Sequence, residues 1–98
     1  MHIIIWEYQV KPEKRSEFEE IYASNGAWAE LFNKGTGYLG TELLQDEHYP
    51  HRYLTLDRWA SKTEYEAFLS EWATDYKVLD ARCEHLTATE RLVGRWHS

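Results

Sequence analysis

The segment His2 to Val10 is β-rich, and both of its alternating sets of side chains are apolar, drawing on Ile3, Ile4, Ile5, Trp6, Tyr8 and Val10. A strand with one wet face alternates apolar and polar residues, so this pattern predicts a strand covered on both sides. The chain has 98 residues, which makes a single domain spanning 1–98 with one modest core of its own. One face of the strand can meet the chain's own helices. The other needs a second cover, and a partner's sheet is the economical one.

The remaining pattern says what lies around that strand. Pro12 and Glu13 suit the first turn of a helix, where a missing N–H and a negative charge both fit. Phe18, Ile21 and Tyr22 give its stripe. Asn25-Gly26 interrupts it, and Ala27 to Phe32 offers another turn or two, ended by Gly35-Thr36-Gly37. Tyr38 to Gln45 reads as a strand, His48-Tyr49-Pro50 as a hairpin turn, and residues 52–59 as the returning strand. Ser61 and Glu64 have the spacing of a capping box. Tyr65, Phe68, Leu69, Trp72, Tyr76 and Leu79 then follow at helical intervals, predicting one amphipathic helix. From about Glu84 to Trp96 the pattern is again β-like. The order is β-α-β-β-α-β, a ferredoxin-like α+β fold: a four-stranded antiparallel sheet with helices on one face. Two copies joined through their open sheet faces would close a dimeric α+β barrel.

The composition adds one pressure and several exclusions. Five Trp and seven Tyr are too many large rings for one small core, which points to a subunit interface or a ligand cavity. Eleven Lys and Arg against seventeen Asp and Glu give a net charge of −6 without a basic cluster, so no nucleic-acid partner is expected. A single cysteine, Cys83, rules out an intrachain disulfide and fits a reducing compartment. Neither a signal peptide nor a membrane span is expected, and the cytoplasm is the predicted location. No Gly-rich phosphate loop or dinucleotide fingerprint occurs, so no nucleotide site of those kinds is expected.

Tyr53, Thr55, Asp57 and Trp59 alternate toward one face of the third strand. Indole, phenol, hydroxyl and carboxylate then line one wall, either a mixed core or a pocket. Tyr65, Trp72 and Tyr76 share the same two readings. Glu7 follows Ile3 and Ile5 on one face of the first strand. It is either a buried carboxylate of raised pKa, suited to proton abstraction, or the partner of an arginine across the sheet. Asp57 and Glu42 carry the same ambiguity. His48 and His51 lie on a hairpin turn, a poor platform for the fixed ligand set a metal needs, and no metal site is expected. Cys83 has no convincing histidine partner and reads as a small buried or interfacial residue.

The element order, the stretch Gly37-Tyr38-Leu39-Gly40-Thr41-Glu42-Leu43 and the stretch Trp59-Ala60-Ser61-Lys62-Thr63-Glu64-Tyr65-Glu66-Ala67-Phe68 resemble the antibiotic biosynthesis monooxygenase family of dimeric α+β barrels. In quinol-oxidising members the resemblance implies a pocket using a Trp at the end of strand 3, an Asn four residues earlier and a Tyr six residues later. Trp59 and Tyr65 match, whereas Thr55 replaces the Asn and lacks an amide's geometry. Arg82 is a loose counterpart of a family Arg. Haem-degrading relatives need a helix-2 His and a strand-1 Asn. Here no His lies between Ser61 and Arg82, and Glu7 stands at the Asn position, which disfavours haem degradation.

The resemblance thus implies a cofactor-independent monooxygenase acting on a small aromatic or quinol-like substrate. Trp59, Tyr65, Thr55 and Glu7 are the catalytic candidates, and Tyr53, Trp28, Phe68 and Trp72 the substrate-binding ones. The alternative is a non-catalytic small-molecule-binding or accessory dimer of the same fold.

Overall fold

The computed structural model describes residues 1–98. Strand β1 (His2–Val10) runs through a 3-10 turn at Pro12–Lys14 into helix α1 (Arg15–Tyr22) and the short helix α2 (Ala27–Phe32). Strands β2 (Tyr38–Gln45) and β3 (Arg52–Trp59) form the hairpin, and helices α3 (Lys62–Glu71) and α4 (Ala73–Cys83) follow. A second 3-10 turn, Glu84–Leu86, leads to β4 (Thr87–His97). The four strands are antiparallel in the order β2-β3-β1-β4. The fold is ferredoxin-like α+β, and β1 is central because its side chains are apolar on both faces. No helix of the chain is long and apolar enough to cross a membrane.

Alternation decides which side chains meet the helices. Tyr53, Thr55, Asp57 and Trp59 of β3 are all buried, as are His2, Ile4, Tyr8 and Val10 of β1. These sets lie opposite one another in register, with Ile4 against Asp57 and Trp6 against Thr55. Phe18 and Tyr22 of α1, Trp28 and Phe32 of α2, and Phe68 of α3 cover them and complete the core.

The helix after Ser61 departs from the predicted single stripe. It breaks at Trp72 (φ −110°, ψ 27°), whose N–H still bonds to the Phe68 carbonyl while its own carbonyl accepts from Tyr76. The break divides the predicted helix into α3 and α4. The capping box is half formed. Ser61 Oγ accepts from the Glu64 N–H at 3.2 Å, but Glu64 Oε2 is buried without a hydrogen-bond partner. Gly37 is the reason. Its φ is +88°, and a Cβ there would lie 1.8 Å from that oxygen, so the carboxylate packs against the glycine.

The opposite face of the sheet has no helices. Ile3 and Ile5 of β1 and Leu54 and Leu56 of β3 are half-buried there, and Leu44 and Trp96 are exposed.

Candidate active site

A cavity of about 260 Å³ lies between the helical layer and the sheet. Trp6 and Tyr8 of β1, Thr41 of β2, Thr55 and Asp57 of β3, and Glu90 of β4 form its floor. Tyr22 of α1, Trp28 and Phe32 of α2, and Tyr76 and Asp80 of α4 form its roof. Aromatic walls with a few convergent polar groups are the usual make-up of a small-molecule site.

Asp57 is the chemically unusual member. It is only 7% exposed. Its Oδ1 accepts from Thr41 Oγ1 at 2.7 Å, and no other protein group donates to the carboxylate. Since Thr41 spends its proton on Asp57, the Tyr38 hydroxyl, 2.6 Å from Thr41 Oγ1, donates to Thr41. Burial pushes the Asp57 pKa up from 3.8 to about 6, with the Thr41 hydrogen bond opposing the shift. A second hydroxyl pair, Tyr8 and Thr55, lies 3.2 Å apart, and burial holds Tyr8 well above the usual phenol range. At the roof, the Trp28 N–H is near the Tyr22 hydroxyl and the Cys83 thiol but makes no hydrogen bond. Burial raises Tyr22, Tyr76 and Cys83. All three are protonated at neutral pH.

Of the eight residues expected at a site, two line this cavity: Thr55 and Trp28. Trp59 does not, which corrects the pocket reading of the strand-3 indole. It is fully buried, with ring centroids 5.2–5.9 Å from Phe68, Tyr38, Tyr65 and Phe32. Gly35 lets the preceding loop close on it, since a Cβ at position 35 would come within 3.2 Å of the indole and 2.9 Å of Phe68. Tyr65 belongs to the same cluster, between Trp59, His2 and the Arg95 guanidinium. Phe68 is core. Trp72 lies away from the cavity under Lys34, whose Nζ is 5.1 Å from the ring centre. Tyr53 points its hydroxyl to Glu19 Oε2 at 2.7 Å, at a different edge of the helical layer.

Glu7 is on the opposite face of the sheet from Asp57. Its oxygens accept from Arg52 Nε at 2.9 Å and Arg91 at 2.5 Å. Those hydrogen bonds, Arg52 first, hold its carboxyl below the usual range, which rules out the raised-pKa reading of the two. Arginine pairing across the sheet, the other reading of Glu7, is what the fold provides. Cys83 is buried, as expected. No group of three or more His, Cys, Asp or Glu is arranged to hold a metal ion.

Alternation along β3 sets Asp57 on this wall but does not distinguish it from its neighbours. Tyr8 had the same signal, because it shares a face with Ile4 and Val10. Asp80 follows Tyr76 by four residues on α4 and so shares its face. Glu90 had no signal, because β4 is exposed along most of its length.

The model of the antibiotic biosynthesis monooxygenase family matches residues 1–75. Solved structures share the fold at low identity. SnoaB, a cofactor-independent oxygenase from Streptomyces nogalater, superposes with a TM-score of 0.73 at 18% identity, covering 99% of this chain and 91% of that one. Candidate antibiotic biosynthesis monooxygenases from Nitrosomonas europaea (TM-score 0.74, 17% identity, 100% and 98% covered) and Deinococcus radiodurans (0.77, 15%, 100% and 92%) are similar too. A comparison with curated proteins found no match. With the family model covering most of its length, the chain belongs to the antibiotic biosynthesis monooxygenase family.

Proposed function

We propose that the protein is a cofactor-independent monooxygenase that oxidises a small aromatic or quinol-like substrate in the cavity between sheet and helices. The observation that carries this reading is Asp57, a buried carboxylate on an aromatic cavity wall with a pKa raised to about 6. A base poised near neutral pH is what proton abstraction from a phenol-activated C–H needs. Asp57 takes the proton, and the substrate anion supplies electrons to oxygen. One oxygen atom replaces the two hydrogens of the substrate methylene as a carbonyl, and the other leaves as water. Thr55 and Tyr8 supply hydroxyls to the substrate's oxygens, and Trp28 covers its ring. Thr41, with Tyr38 donating to it in turn, holds the carboxylate in place, and Asp57 returns the proton to the oxygen that leaves as water. Working without a cofactor follows the description of SnoaB.

The active form in this reading is a homodimer through the open sheet face. Half-buried Ile3, Ile5, Leu54 and Leu56, with exposed Leu44 and Trp96 beside them, support a second copy there.

The same cavity serves a non-catalytic binding protein, and one observation favours that second reading: Trp59 and Tyr65, the two family-matching aromatics, lie outside the cavity. Oxygen uptake with a panel of hydroquinones and anthrone-like compounds separates the readings. Turnover that is lost in Asp57→Asn supports the oxygenase. Ligand-induced thermal stabilisation without uptake supports the binding protein.

A further inference from the structure

The cavity carries three carboxylates and no positive group. Asp57 lies inside, while half-buried Asp80 on α4 and exposed Glu90 on β4 stand on opposite sides of it, one in the roof and one in the floor. No Lys, Arg or His is among the lining residues. Three other acids of the sheet and its hairpin are matched: Glu7 by two arginines, Glu42 by Arg58, Asp46 by Arg52. Asp57 is nine-tenths buried, and its second oxygen has no protein donor. With no cation in its lining, the cavity as a whole has a negative potential that favours a positively charged entrant.

The unmatched charge is felt by its neighbours. Burial and then Asp80 and Glu84 push the Glu90 carboxyl above its usual range. After burial, Asp80, Glu90 and Asp57 all help to raise the Tyr76 phenol.

A metal ion does not answer this charge, because the three carboxylates are not arranged to coordinate one. An organic cation does. Trp6, Trp28, Tyr76 and Phe32 give the cavity aromatic faces, and a cation over such a face is attracted by the ring quadrupole. Anionic ligands meet repulsion from three sides.

We infer that the cavity selects an aromatic ligand bearing a positively charged nitrogen, with its ring among the indoles and its ammonium group between Asp80 and Glu90. This rests on the cavity being the ligand site, as proposed above, and adds the charge of what enters it. Asp57 remains free to act on the ring's acidic proton while the two outer acids hold the nitrogen.

The test is calorimetric titration with three naphthols that differ only in one arm: aminoethyl, ethyl or carboxyethyl. The aminoethyl compound binds about tenfold tighter than the ethyl compound, the size of one good cation–π and carboxylate contact, and the carboxyethyl compound binds weakest. In Asp80→Asn/Glu90→Gln the aminoethyl advantage disappears while the ethyl compound binds as before, and Glu90→Lys turns the preference toward the carboxyethyl compound. Circular dichroism checks that the variants fold. Equal binding of the aminoethyl and ethyl compounds overturns this inference and leaves the cavity reading standing. No binding by any of the three overturns both.

Discussion

Thr41 Oγ1 donates to Asp57 Oδ1 across 2.7 Å, joining two residues that face each other in the β2–β3 register. Thr41 is the only protein donor to a carboxylate that is otherwise among aromatic rings, and it accepts in turn from Tyr38. Burial outweighs that one hydrogen bond, so Asp57 sits near neutrality rather than in the acid range.

Asp57→Asn is expected to stabilise the fold while removing activity. Between pH 3.8 and about 6 the folded chain holds a proton that the unfolded chain has released. The native state binds more protons there, so stability falls as pH rises through that window and levels off above it. The penalty at pH 7 is at most about 3 kcal/mol, because each tenfold change in proton affinity is worth roughly 1.4 kcal/mol. Asparagine carries no such penalty and still accepts from Thr41. Denaturant titration at pH 7 is expected to show a gain of about 1–3 kcal/mol, with kcat lower by at least about 100-fold. In the unmodified chain, activity rises with pH through about 6 as Asp57 ionises.

Thr41→Val tests the hydrogen bond itself. Thr41 opposes the upward shift, so its loss moves the Asp57 pKa, and with it the acid limb of the pH–rate profile, to higher pH. The carboxylate loses its donor, at a cost of about 1–3 kcal/mol in stability. A profile that keeps its acid limb in place would show that another group sets it.

At position 59 the structure predicts a packing phenotype. Trp59→Ala costs about 3–5 kcal/mol, as expected for a large core ring. Trp59→Phe costs much less, because it also removes an indole N–H that is buried without a partner. Ligand affinity stays within about threefold in Trp59→Phe, since the indole does not line the cavity. Thermal unfolding with and without an aromatic ligand separates the two quantities.

These residues show what a sequence can and cannot carry. Alternation along β3 placed Asp57 and Trp59 on the helix-facing wall, and they are there. It could not say which of them meets empty space. That depends on how closely the Gly35 loop approaches Trp59 and on where α4 turns after the break at Trp72, and both are tertiary outcomes. Glu7 stayed open between its two readings for another reason. With both faces of β1 apolar, alternation grouped Glu7 with Ile3 and Ile5 but could not say which face carried the helices. The overall order was legible because the caps, the glycines and two strong periodicities agreed with one another.

The open sheet face gives a prediction about assembly. Leu54→Glu places a charge among Ile5, Leu56 and Leu44, next to the Glu7–Arg52–Arg91 group. In the dimer proposed above it is expected to weaken self-association at least about tenfold in sedimentation equilibrium, because a second carboxylate beside Glu7 exceeds the charge its two arginines match at a desolvated interface. The cavity lies on the other side of the sheet, so ligand binding by the resulting monomer reports whether the site needs the dimer.

Whether Asp57 is the base of an oxygenase is decided by oxygen consumption under identical conditions by the unmodified chain and by Asp57→Asn. With an anthrone-type substrate at pH 7.5, rapid uptake by the unmodified chain and a rate at least about 100-fold lower in Asp57→Asn is the predicted result. Equal rates in a variant that binds the substrate as tightly would contradict it.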